Sequence, residues 1–503
     1  MTDIPIGLWN IAGAEPARTA IITPDGAEMS FGDLVSAAGR YAAGLQGLGL
    51  KAGDSVALLM PNSPEMLCLY IGAFQIGLYV VPINWHLTAA EANHILADCG
   101  ARVLVADARF ASVAAPVEAE FKFGDGFRLL EELKSDEPVR DRTAGAPMVY
   151  TSGTSGRPKG VKRPLTGASP DDVPPTATWF FGLFGLKPFD GHVHLCGSPL
   201  YHAAVLNFTT ISLQLGHPVV LMDQWDPAEM LRLIEAHRVT HTHMVPTQFR
   251  RLLNLPGREA YDVSSLRAAI HGAAPCPQEV KRRMLDWWGP VVIEYYAASE
   301  GGGTAITAAE WLERPGSVGK AWPGSVIKVL DAQGNAVPPG ETGQVYMQMG
   351  TSTFEYHRDT EKTKAARMGS LFTVGDIGYL DSDGYLYLCD RSSDLIISGG
   401  VNIYPAEIES ELSCHPAVAD VAVFGIPHDD WGEEIKAVVE PIPGIVPDEA
   451  LTASILDFAA QRLARFKLPR TIDYLDAIPR DPNGKLYKRR LRDPYWAGRD
   501  RQI

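Results

Sequence analysis

The residues best suited to chemistry lie in one short loop, residues 150–160, which reads Tyr-Thr-Ser-Gly-Thr-Ser-Gly-Arg-Pro-Lys-Gly. Gly153 and Gly156 let the backbone turn tightly and approach an anion closely, and Lys159 adds a mobile positive charge. Short hydroxyl donors stand at Thr151, Ser152, Thr154 and Ser155. Because successive backbone N–H groups in such a turn form a concave nest for oxyanions, the loop is predicted to bind the phosphates of a nucleotide.

The spacing separates this loop from two commoner phosphate-binding motifs. A P-loop places Gly-Lys directly before Ser or Thr, whereas Lys159 lies between Pro158 and Gly160. No Gly-x-Gly pair opens a helix here, so the pattern is not the dinucleotide fingerprint either. The apolar residues 148–150 predict a strand that leads into the loop. A flexible linker is the alternative, and it is disfavoured because linkers seldom end in Pro-Lys-Gly-Val directly after a strand.

The loop resembles the signature of the AMP-forming acyl-CoA synthetase, adenylation-domain and luciferase superfamily, and within it the bacterial fatty-acyl-CoA ligases. The resemblance covers nearly the whole chain, because further motifs follow in the family's order. It implies ATP, Mg²⁺ and coenzyme A as cofactors. It also implies that residues 151–156 and Lys159 hold the nucleotide, and that Thr154 takes part in catalysis.

Two further loops are implied to complete the nucleotide site. The run from Tyr296 to Glu300 is similar to the family pattern Tyr-Gly-x-Thr-Glu, whose glutamate helps to hold Mg²⁺ on the triphosphate. Glu300 is therefore implied as a catalytic residue and metal ligand, with a solvated loop acid as the alternative. This chain has Ala297 for Gly and Ser299 for Thr. The run from Gly272 to Pro275 resembles the family's adenine-side loop, with an ordinary packing loop as the alternative. The nucleotide-binding residues implied by the two loops are Gly272, Ala273, Ala274, Pro275, Tyr295, Tyr296, Ala297, Ala298 and Ser299.

A ribose clamp is implied by Asp376 and Arg391. A carboxylate can accept hydrogen bonds from both ribose hydroxyls, and a guanidinium can donate to the ribose or the α-phosphate. Relatives usually have Thr before Gly-Asp, where this chain has Val374. An ordinary turn aspartate is the alternative for Asp376.

The end of the chain resembles the family's C-terminal catalytic loop, with Lys485 following Gly484. The resemblance implies that Lys485 bridges the attacking carboxylate and the α-phosphate as charge builds in the transition state. Ser398, Gly399 and Gly400 resemble the segment that lies against the pantetheine of CoA after the small domain turns; a tight strand-to-helix connection is the alternative. Ser393 stands at the hinge, where relatives generally have a charged residue.

Histidines supply one more candidate and two pairs. His202 follows Tyr201 in a motif that resembles the lining of the acyl pocket, where it would act catalytically by orienting the carboxylate; a hydrogen-bonded core histidine is the alternative. The pairs His192-x-His194 and His241-x-His243 each place two imidazoles on one strand face. Neither pair has acidic or cysteine partners at metal spacing, so no zinc site is predicted.

The elements that must position these residues form an α/β fold. Up to about residue 316, strand and helix alternate, which predicts doubly wound parallel sheets whose carboxyl ends carry ligand loops. Short strands and tight turns over about 316–390 predict an antiparallel β subdomain. We therefore expect an N-terminal domain over 1–391 and a small mobile α+β domain over 392–503 that carries Lys485.

The composition and charge of the chain limit which binding partners are expected. The chain has 503 residues and a net charge of −15, which argues against a general nucleic-acid or anionic-membrane binder. Residues 461–503 nevertheless carry 12 Lys and Arg against 5 Asp and Glu, which favours an anionic ligand or a merely solvated face. The six cysteines are scattered and the N-terminus lacks signal-peptide features, so a cytoplasmic protein is expected. Whether it is a homodimer is left open.

The sequence thus predicts ATP-dependent activation of an apolar carboxylic acid to an acyl-AMP, followed by transfer to CoA. Aromatic residues 179–184 and 201–208, with Gly301, Gly302 and Gly303, favour a fatty, aryl-alkanoic or steroid-side-chain acid, without choosing among them. The alternatives are an adenylation enzyme that loads a carrier protein and a nucleotide-binding protein without catalysis. The second is disfavoured because Lys485, Glu300 and Asp376 are all present.

Overall fold

The computed structural model describes residues 5–124, 126–152, 158–298, 300–350, 354–480 and 486–497. The chain divides into two compact units. The first comprises Met1–Met244, Asn254–Ile270 and Thr351–Ala365, and the second comprises Val245–Leu253, His271–Gly350 and Ala366–Ile503. No helix within the described ranges is both long and apolar enough to cross a membrane.

The described helices are α1 Leu8–Ala14, α2 Phe31–Gly47, α3 Pro64–Phe74, α4 Ala89–Cys99, α5 Ala111–Ala114, α6 Pro175–Gly182, α7 Ala203–Gln214, α8 Pro227–Ala236, α9 Pro246–Leu253, α10 Gln278–Trp288, α11 Ala308–Glu313, α12 Thr360–Ala365, α13 Pro405–Leu412, α14 Glu449–Ala460 and α15 Lys488–Arg492.

The described strands are β1 Thr19–Ile22, β2 Glu28–Ser30, β3 Ser55–Leu59, β4 Tyr79–Pro82, β5 Val103–Ala106, β6 Phe121–Phe123, β7 Ala146–Pro147, β8 Val149–Ser152, β9 Pro158–Lys162, β10 His194–Cys196, β11 Val219–Leu221, β12 His241–Met244, β13 Ala268–His271, β14 Val292–Ala297, β15 Gly303–Ile306, β16 Ser317–Ala321, β17 Ser325–Leu330, β18 Gly343–Met349, β19 Glu355–Tyr356, β20 Arg367–Met368, β21 Leu371–Phe372, β22 Asp376–Leu380, β23 Leu386–Arg391, β24 Ile396–Ser398, β25 Val401–Ile403, β26 Val418–His428, β27 Gly432–Pro441 and β28 Thr471–Tyr474.

The first unit contains parallel sheets with helices between the strands. One sheet has the order β6-β5-β3-β4-β7 and is parallel throughout. In the other, β1, β11, β10 and β12 are mutually parallel and β2 pairs antiparallel at the edge. Strands β3, β4 and β5 are buried along their whole length, as expected for strands covered on both faces. The predicted parallel α/β architecture is confirmed.

Local signals in the sequence set several helix ends. Ser63 caps α3, because its hydroxyl accepts the N–H of Met66 at 3.1 Å and Pro64 follows at the first helical position. Thr88 and Glu91 form a reciprocal capping box at the start of α4, which ends at Gly100 in a left-handed conformation. These ends fix where the neighbouring strands begin.

The second unit holds antiparallel structure. Its larger sheet has the order β14-β15-β16-β23-β22-β18-β21-β20, with β17 also paired to β18. The end of the chain forms a separate five-stranded sheet, β25-β24-β27-β26, with β28 parallel to β27. Its core packs α13 and α14 against the sheet through Ile408, Leu412 and Ile455. The antiparallel β region and the small C-terminal α+β domain are therefore confirmed.

The two histidine pairs form one buried cluster in the first unit. His194 on β10 lies beside His241 on β12, with ring centroids 4.7 Å apart, and His217 and His192 pack alongside. His241 Nε2 lies 3.0 Å from a serine hydroxyl, and His217 Nε2 lies 2.8 Å from a backbone carbonyl. Burial lowers the pKa of His194 to about 3, and lowers the pKa of His217 and of His243 to about 4.

This cluster is expected to make the protein sensitive to mild acid. Each of these imidazoles has a folded-state pKa below the ordinary value of 6.5, so the unfolded chain takes up protons first as the pH falls. The stability that the neutral imidazoles contribute is complete above about pH 6.5 and is lost as the pH falls towards 4. Within that window His194, His217 and His243 each cost about 1.4 kcal/mol of stability per pH unit. Urea unfolding midpoints measured between pH 7.5 and 5 should therefore fall steeply.

A variant outside the cluster provides the control. His194→Gln should flatten the pH dependence of the unfolding midpoint, whereas His237→Gln, at the end of α8, should leave its slope unchanged. Equal slopes in all three proteins would show that the buried imidazoles do not govern acid stability.

Candidate active site

Three residues predicted for the nucleotide site meet in the second unit. Asp376 begins β22 and lies directly opposite Arg391 on β23. The Tyr296 hydroxyl donates to Oδ2 of Asp376 at 2.6 Å, and Nε of Arg391 lies 3.3 Å from Oδ1. Asp376 is buried and Arg391 is largely exposed. The carboxylate is therefore held in one orientation by a partner at each oxygen, and each oxygen keeps a lone pair for a further donor such as a ribose hydroxyl.

The electrostatics of this clamp keep its donor protonated. Burial, together with the charge of Asp376, raises the pKa of Tyr296 far above its ordinary value, and the nearby Glu300 carboxylate acts in the same direction. The phenol thus remains a hydrogen-bond donor at any physiological pH. The turn before the strand is built from Gly375, at φ 88°, whose N–H donates to the Thr373 hydroxyl at 3.1 Å. Thr373 supplies a hydroxyl one position before Val374.

Glu300 follows β14, and its side chain is almost fully buried. Glu300 offers one carboxylate, and proteins usually hold Mg²⁺ with one or two protein oxygens while the ion keeps several waters. The residues present therefore fit the metal that the resemblance implies. Among the described residues no cluster of three or more histidine, cysteine or acidic side chains could hold an ion without substrate oxygens.

The hairpin that presents Tyr296 and Ala297 continues into the triple glycine. Strands β14 and β15 pair antiparallel, with Ala297 opposite Gly303. A side chain at Gly303 would clash with the Tyr296 carbonyl at 2.4 Å and with the Trp322 ring at 2.5 Å. Gly303 therefore makes room for the Trp322 ring. Ala298 is half-buried, and Ser299 lies outside the described residues.

The loop Gly272–Pro275 carries backbone strain. Ala273 has φ 67°, a left-handed conformation that costs a residue with a Cβ about 1–2 kcal/mol. Gly272 packs onto Tyr295, whose carbonyl a Cβ at 272 would approach to 2.7 Å. Ala274 and Pro275 are partly or fully exposed beyond this contact. The buried Tyr295 ring thus packs against the loop. Backbone strain of this kind is concentrated at ligand sites.

The segment predicted to bind phosphate lies between two paired strands. Strands β8 and β9 pair antiparallel, with Thr151 opposite Lys159 and Ser152 opposite Pro158. Gly153, Thr154, Ser155 and Gly156 lie outside the described residues. Lys159 forms an ion pair with Asp359, which sequence reasoning missed. The hydrogen bond from Lys159 lowers the pKa of Asp359, so this carboxylate is charged and stabilises the ammonium of Lys159.

His202 lies in the first unit at the start of α7, where it is the N-cap residue. Its ring packs on the buried Tyr201 at a centroid distance of 4.3 Å. The loop before it is fixed by buried Asn62, which donates to the Ser198 carbonyl at 2.9 Å and accepts the Leu200 N–H at 2.7 Å. The backbone that carries His202 is therefore rigidly held, although sequence reasoning had not identified Asn62.

The residues at the predicted hinge and the glycine pair beyond it have specific backbone contacts. Ser392 donates its N–H to the Gly375 carbonyl at 2.8 Å, and Arg492 contacts the Ser393 carbonyl at 3.3 Å. Gly399 and Gly400, at φ 57° and 79°, form the two-residue turn of the hairpin between β24 and β25, with Ser398 opposite Val401. Further along the same motif, β25 ends at Ile403 and α13 begins at Pro405, so residues 398–407 also contain the tight strand-to-helix connection that was the alternative.

The C-terminal cations are largely paired within the protein. Lys485 lies outside the described residues. Around it, Lys488 pairs with Glu409 at 2.9 Å, Arg492 with Asp394 at 3.8 Å, and Arg480 with Asp420. Burial tends to lower the pKa of Lys488, but the charges of Glu409 and Asp390 raise it overall. Part of the basic excess of residues 461–503 is thus neutralised internally and does not form an open anion-binding face.

Comparison with known proteins agrees with this geometry. Residues 8–356 match the family model described as AMP-binding enzyme, and residues 407–485 match the AMP-binding enzyme C-terminal domain. The chain is 33% identical to a fatty acid--[acyl-carrier-protein] ligase, ScoC, of Streptomyces coeruleorubidus, over 97% of this chain and 96% of that protein. It is 34% identical to the long-chain-fatty-acid--CoA ligase FadD13 of Mycobacterium tuberculosis, over 99% of both chains.

A solved structure is similar over the same extent. The anthranilate CoA ligase AuaEII in complex with anthranoyl-AMP superposes with a TM-score of 0.83 at 27% identity, covering 98% of both chains. The chain therefore belongs to the AMP-binding enzyme family. Within that family it is an acid–thiol ligase of the AMP-forming acyl-CoA synthetase type, which activates a carboxylic acid with ATP and forms a thioester.

Proposed function

We propose that this enzyme joins an apolar carboxylic acid, of the fatty, aryl-alkanoic or steroid-side-chain type, to coenzyme A. The observation that carries the proposal is the Tyr296, Asp376 and Arg391 clamp, in a chain that matches both domains of the family. The names of the similar proteins include both fatty and aryl acids, so they do not decide which type of acid this enzyme uses.

In the first half-reaction the acid carboxylate attacks the α-phosphorus of ATP. A new bond forms between a carboxylate oxygen and the α-phosphorus. The bond from the α-phosphorus to the oxygen that bridges it to the β-phosphorus breaks, and pyrophosphate leaves with that electron pair. Asp376 and Arg391 orient the ribose and α-phosphate, and Lys485 compensates the charge that builds between carboxylate and phosphate. Glu300 would hold Mg²⁺, which neutralises phosphate charge when bound. No side-chain nucleophile is needed, because ATP itself activates the acid.

In the second half-reaction the thiol of CoA attacks the acyl carbonyl carbon. The C–S bond of the thioester forms, and the bond between the acyl carbon and the anhydride oxygen breaks. AMP leaves with that oxygen and its electron pair. We propose that the domain over 392–503 turns about Ser393 between the two steps, so that Ser398, Gly399 and Gly400 replace Lys485 at the site. The small glycine hairpin suits a close approach to the narrow pantetheine arm.

The aromatic groups of the first unit support an apolar acyl chain. Phe208 on α7 packs against Phe181 at 5.5 Å and against His243 at 5.0 Å between ring centroids. Phe180 and Phe184 extend the same aromatic cluster. These rings lie beside the helix that His202 begins, so they would contact an acyl group oriented by that histidine.

A pyrophosphate-release screen tests the proposal. Acids of graded length and bulk are supplied with ATP, Mg²⁺ and either free CoA or a holo carrier protein, with Lys485→Ala as the inactive control. Acid-dependent release together with a CoA thioester supports the proposal. A thioester formed only on the carrier protein would select that alternative, and ATP binding without pyrophosphate from any acid would favour a non-catalytic protein.

A further inference from the structure

A buried carboxylate in the second unit is shared by two arginines from different parts of the chain. Nη2 of Arg250 lies 2.7 Å from Oδ1 of Asp420, and Nη2 of Arg480 lies 2.9 Å from the same oxygen. Nε of Arg480 also donates to Oδ2. The Asp420 side chain is 8% exposed, so both ion pairs are shielded from water.

The charges make this trio asymmetric. Burial alone would raise the pKa of Asp420, but the hydrogen bond from Arg480 and the charge of Arg250 hold it below its ordinary value. One carboxylate neutralises one guanidinium, so the trio carries a net positive charge. Loss of Arg250 would leave a balanced pair with Arg480, whereas loss of Asp420 would leave two cations facing each other. Arg250 is therefore the member that can leave at least cost.

The three residues lie on opposite sides of the proposed hinge at 393. Arg250 is on α9, within the span of the larger family domain, whereas Asp420 on β26 and Arg480 both lie within the C-terminal domain. Helix α9 is a fixed support, because Phe249 is buried against His271 and Trp288 at ring distances of 5.0 and 6.3 Å. The contact of Arg480 with Asp420 is thus internal to the small domain, and that of Arg250 crosses to it.

Arg480 is also tied to the segment that ends in Lys485. Arg480 and Leu486 form an isolated antiparallel bridge, and the Tyr487 N–H donates to the Pro479 carbonyl at 2.9 Å. Both ends of residues 481–485 are therefore held together at Arg480. A restraint on Arg480 consequently restrains the base of the segment that carries the proposed catalytic lysine.

The glycine hairpin that the proposed mechanism brings to CoA is exposed in the structure in which Arg250 contacts Asp420. Gly399 and Gly400 are exposed, and Val401 beside them is 46% exposed. In the proposed mechanism this hairpin packs against pantetheine only after the small domain turns. The contact between Arg250 and Asp420 thus coexists with an exposed hairpin, and its link to the first half-reaction rests on the tie between Arg480 and the segment that carries Lys485.

We propose that Arg250 is a positioning residue for the first half-reaction. Through Asp420 and Arg480 it holds the small domain where Lys485 serves adenylate formation, and its ion pair with Asp420 breaks when the domain turns to form the thioester. This inference rests on the proposed two-step function. It predicts a residue that affects one half-reaction and touches neither the nucleotide nor the acid.

The test separates the two half-reactions in Arg250→Met, which keeps the aliphatic stem and removes the charge. Acyl-AMP formation should slow about tenfold to a hundredfold, as for loss of one charge-assisted hydrogen bond, with the KM for ATP little changed. Thioester formation from presynthesised acyl-AMP and CoA should keep its rate or accelerate. Arg250→Lys should recover part of the first rate, and Arg251→Met, its exposed neighbour, should match the native protein in both assays.

The outcomes distinguish this inference from the function beneath it. Equal losses in both half-reactions, or a fall in unfolding midpoint that accounts for the loss, would reduce Arg250 to a structural contact. An unchanged rate of acyl-AMP formation in Arg250→Met, with the native protein active, would overturn the positioning role alone. A native protein that makes no acyl-AMP from any acid would overturn the proposed function and this inference together.

Discussion

Replacing Lys485 with alanine is expected to slow acyl-AMP formation by about 10²- to 10³-fold, the loss typical of one preorganised group that stabilises transition-state charge. Thioester formation from preformed acyl-AMP should be much less affected, because the α-phosphorus is not attacked in that step. The two rates are measured separately, as ATP-dependent acyl-AMP production and as CoA-dependent consumption of supplied acyl-AMP.

Arg489→Ala is the matched control for this prediction. It removes an exposed cation from the same short C-terminal stretch, and both half-reactions should stay within a factor of about two, the scale of an exposed charge. Comparable losses of the two half-reactions in Lys485→Ala would reject the role assigned to the lysine. Comparable losses in Arg489→Ala would show that general positive charge, and not a single placed ammonium, drives the chemistry.

Lys281→Met is expected to destabilise the protein by about 3–5 kcal/mol, the cost of leaving a buried charge without its partner. Nζ of Lys281 lies 2.6 Å from Oε2 of Glu294, and the lysine side chain is completely buried. Burial raises the pKa of Glu294, and Lys281 opposes that rise. The His271 ring stays 3.8 Å from the carboxylate, which without the lysine must either remain charged in a buried site or take up a proton. Urea unfolding at pH 7.5 measures the loss.

A double variant isolates the pair from the packing around it. Lys281→Met with Glu294→Leu removes both charges, and it should recover most of the stability because apolar groups of similar volume replace the ions. Arg232→Met breaks the exposed ion pair with Glu229 on α8 and should cost less than about 1 kcal/mol. A double variant as unstable as Lys281→Met would mean that shape, and not the unpaired charge, accounts for the effect.

The Lys281–Glu294 pair and the trio of Arg250, Asp420 and Arg480 are both buried ion-pair systems, but we expect them to have different roles. Lys281 and Glu294 join α10 to β14, so breaking them should lower stability without favouring either half-reaction. Arg250 joins two proposed domains through Asp420, so breaking that contact should alter the balance between half-reactions with a smaller effect on stability. Measuring unfolding and both rates in all of these variants tests whether the two ion-pair systems differ in this way.

Much of this molecule follows from local sequence signals. Ser63, Thr88 and Gly100 set helix ends through contacts within a few residues, and these signals act wherever the chain folds. Alternating strands and helices gave the parallel architecture, and the tight turns after about residue 316 gave the antiparallel region. Asp376 and Arg391 were identifiable from motif and residue chemistry, because the ligand groups a nucleotide needs are few.

The tertiary structure decided which of these groups act together. The partner of Asp376 is Tyr296, 80 residues earlier, and the partner of Lys159 is Asp359, 200 residues later. Gly303 accommodates the Trp322 ring, and Arg250 meets Asp420 across 170 residues. Periodicity and capping report interactions over one or two turns of chain, whereas ion pairs and close backbone approaches depend on where distant elements pack. The amino-acid sequence by itself therefore determined the reaction class and its candidate groups, and only the packing of distant elements decided their partners.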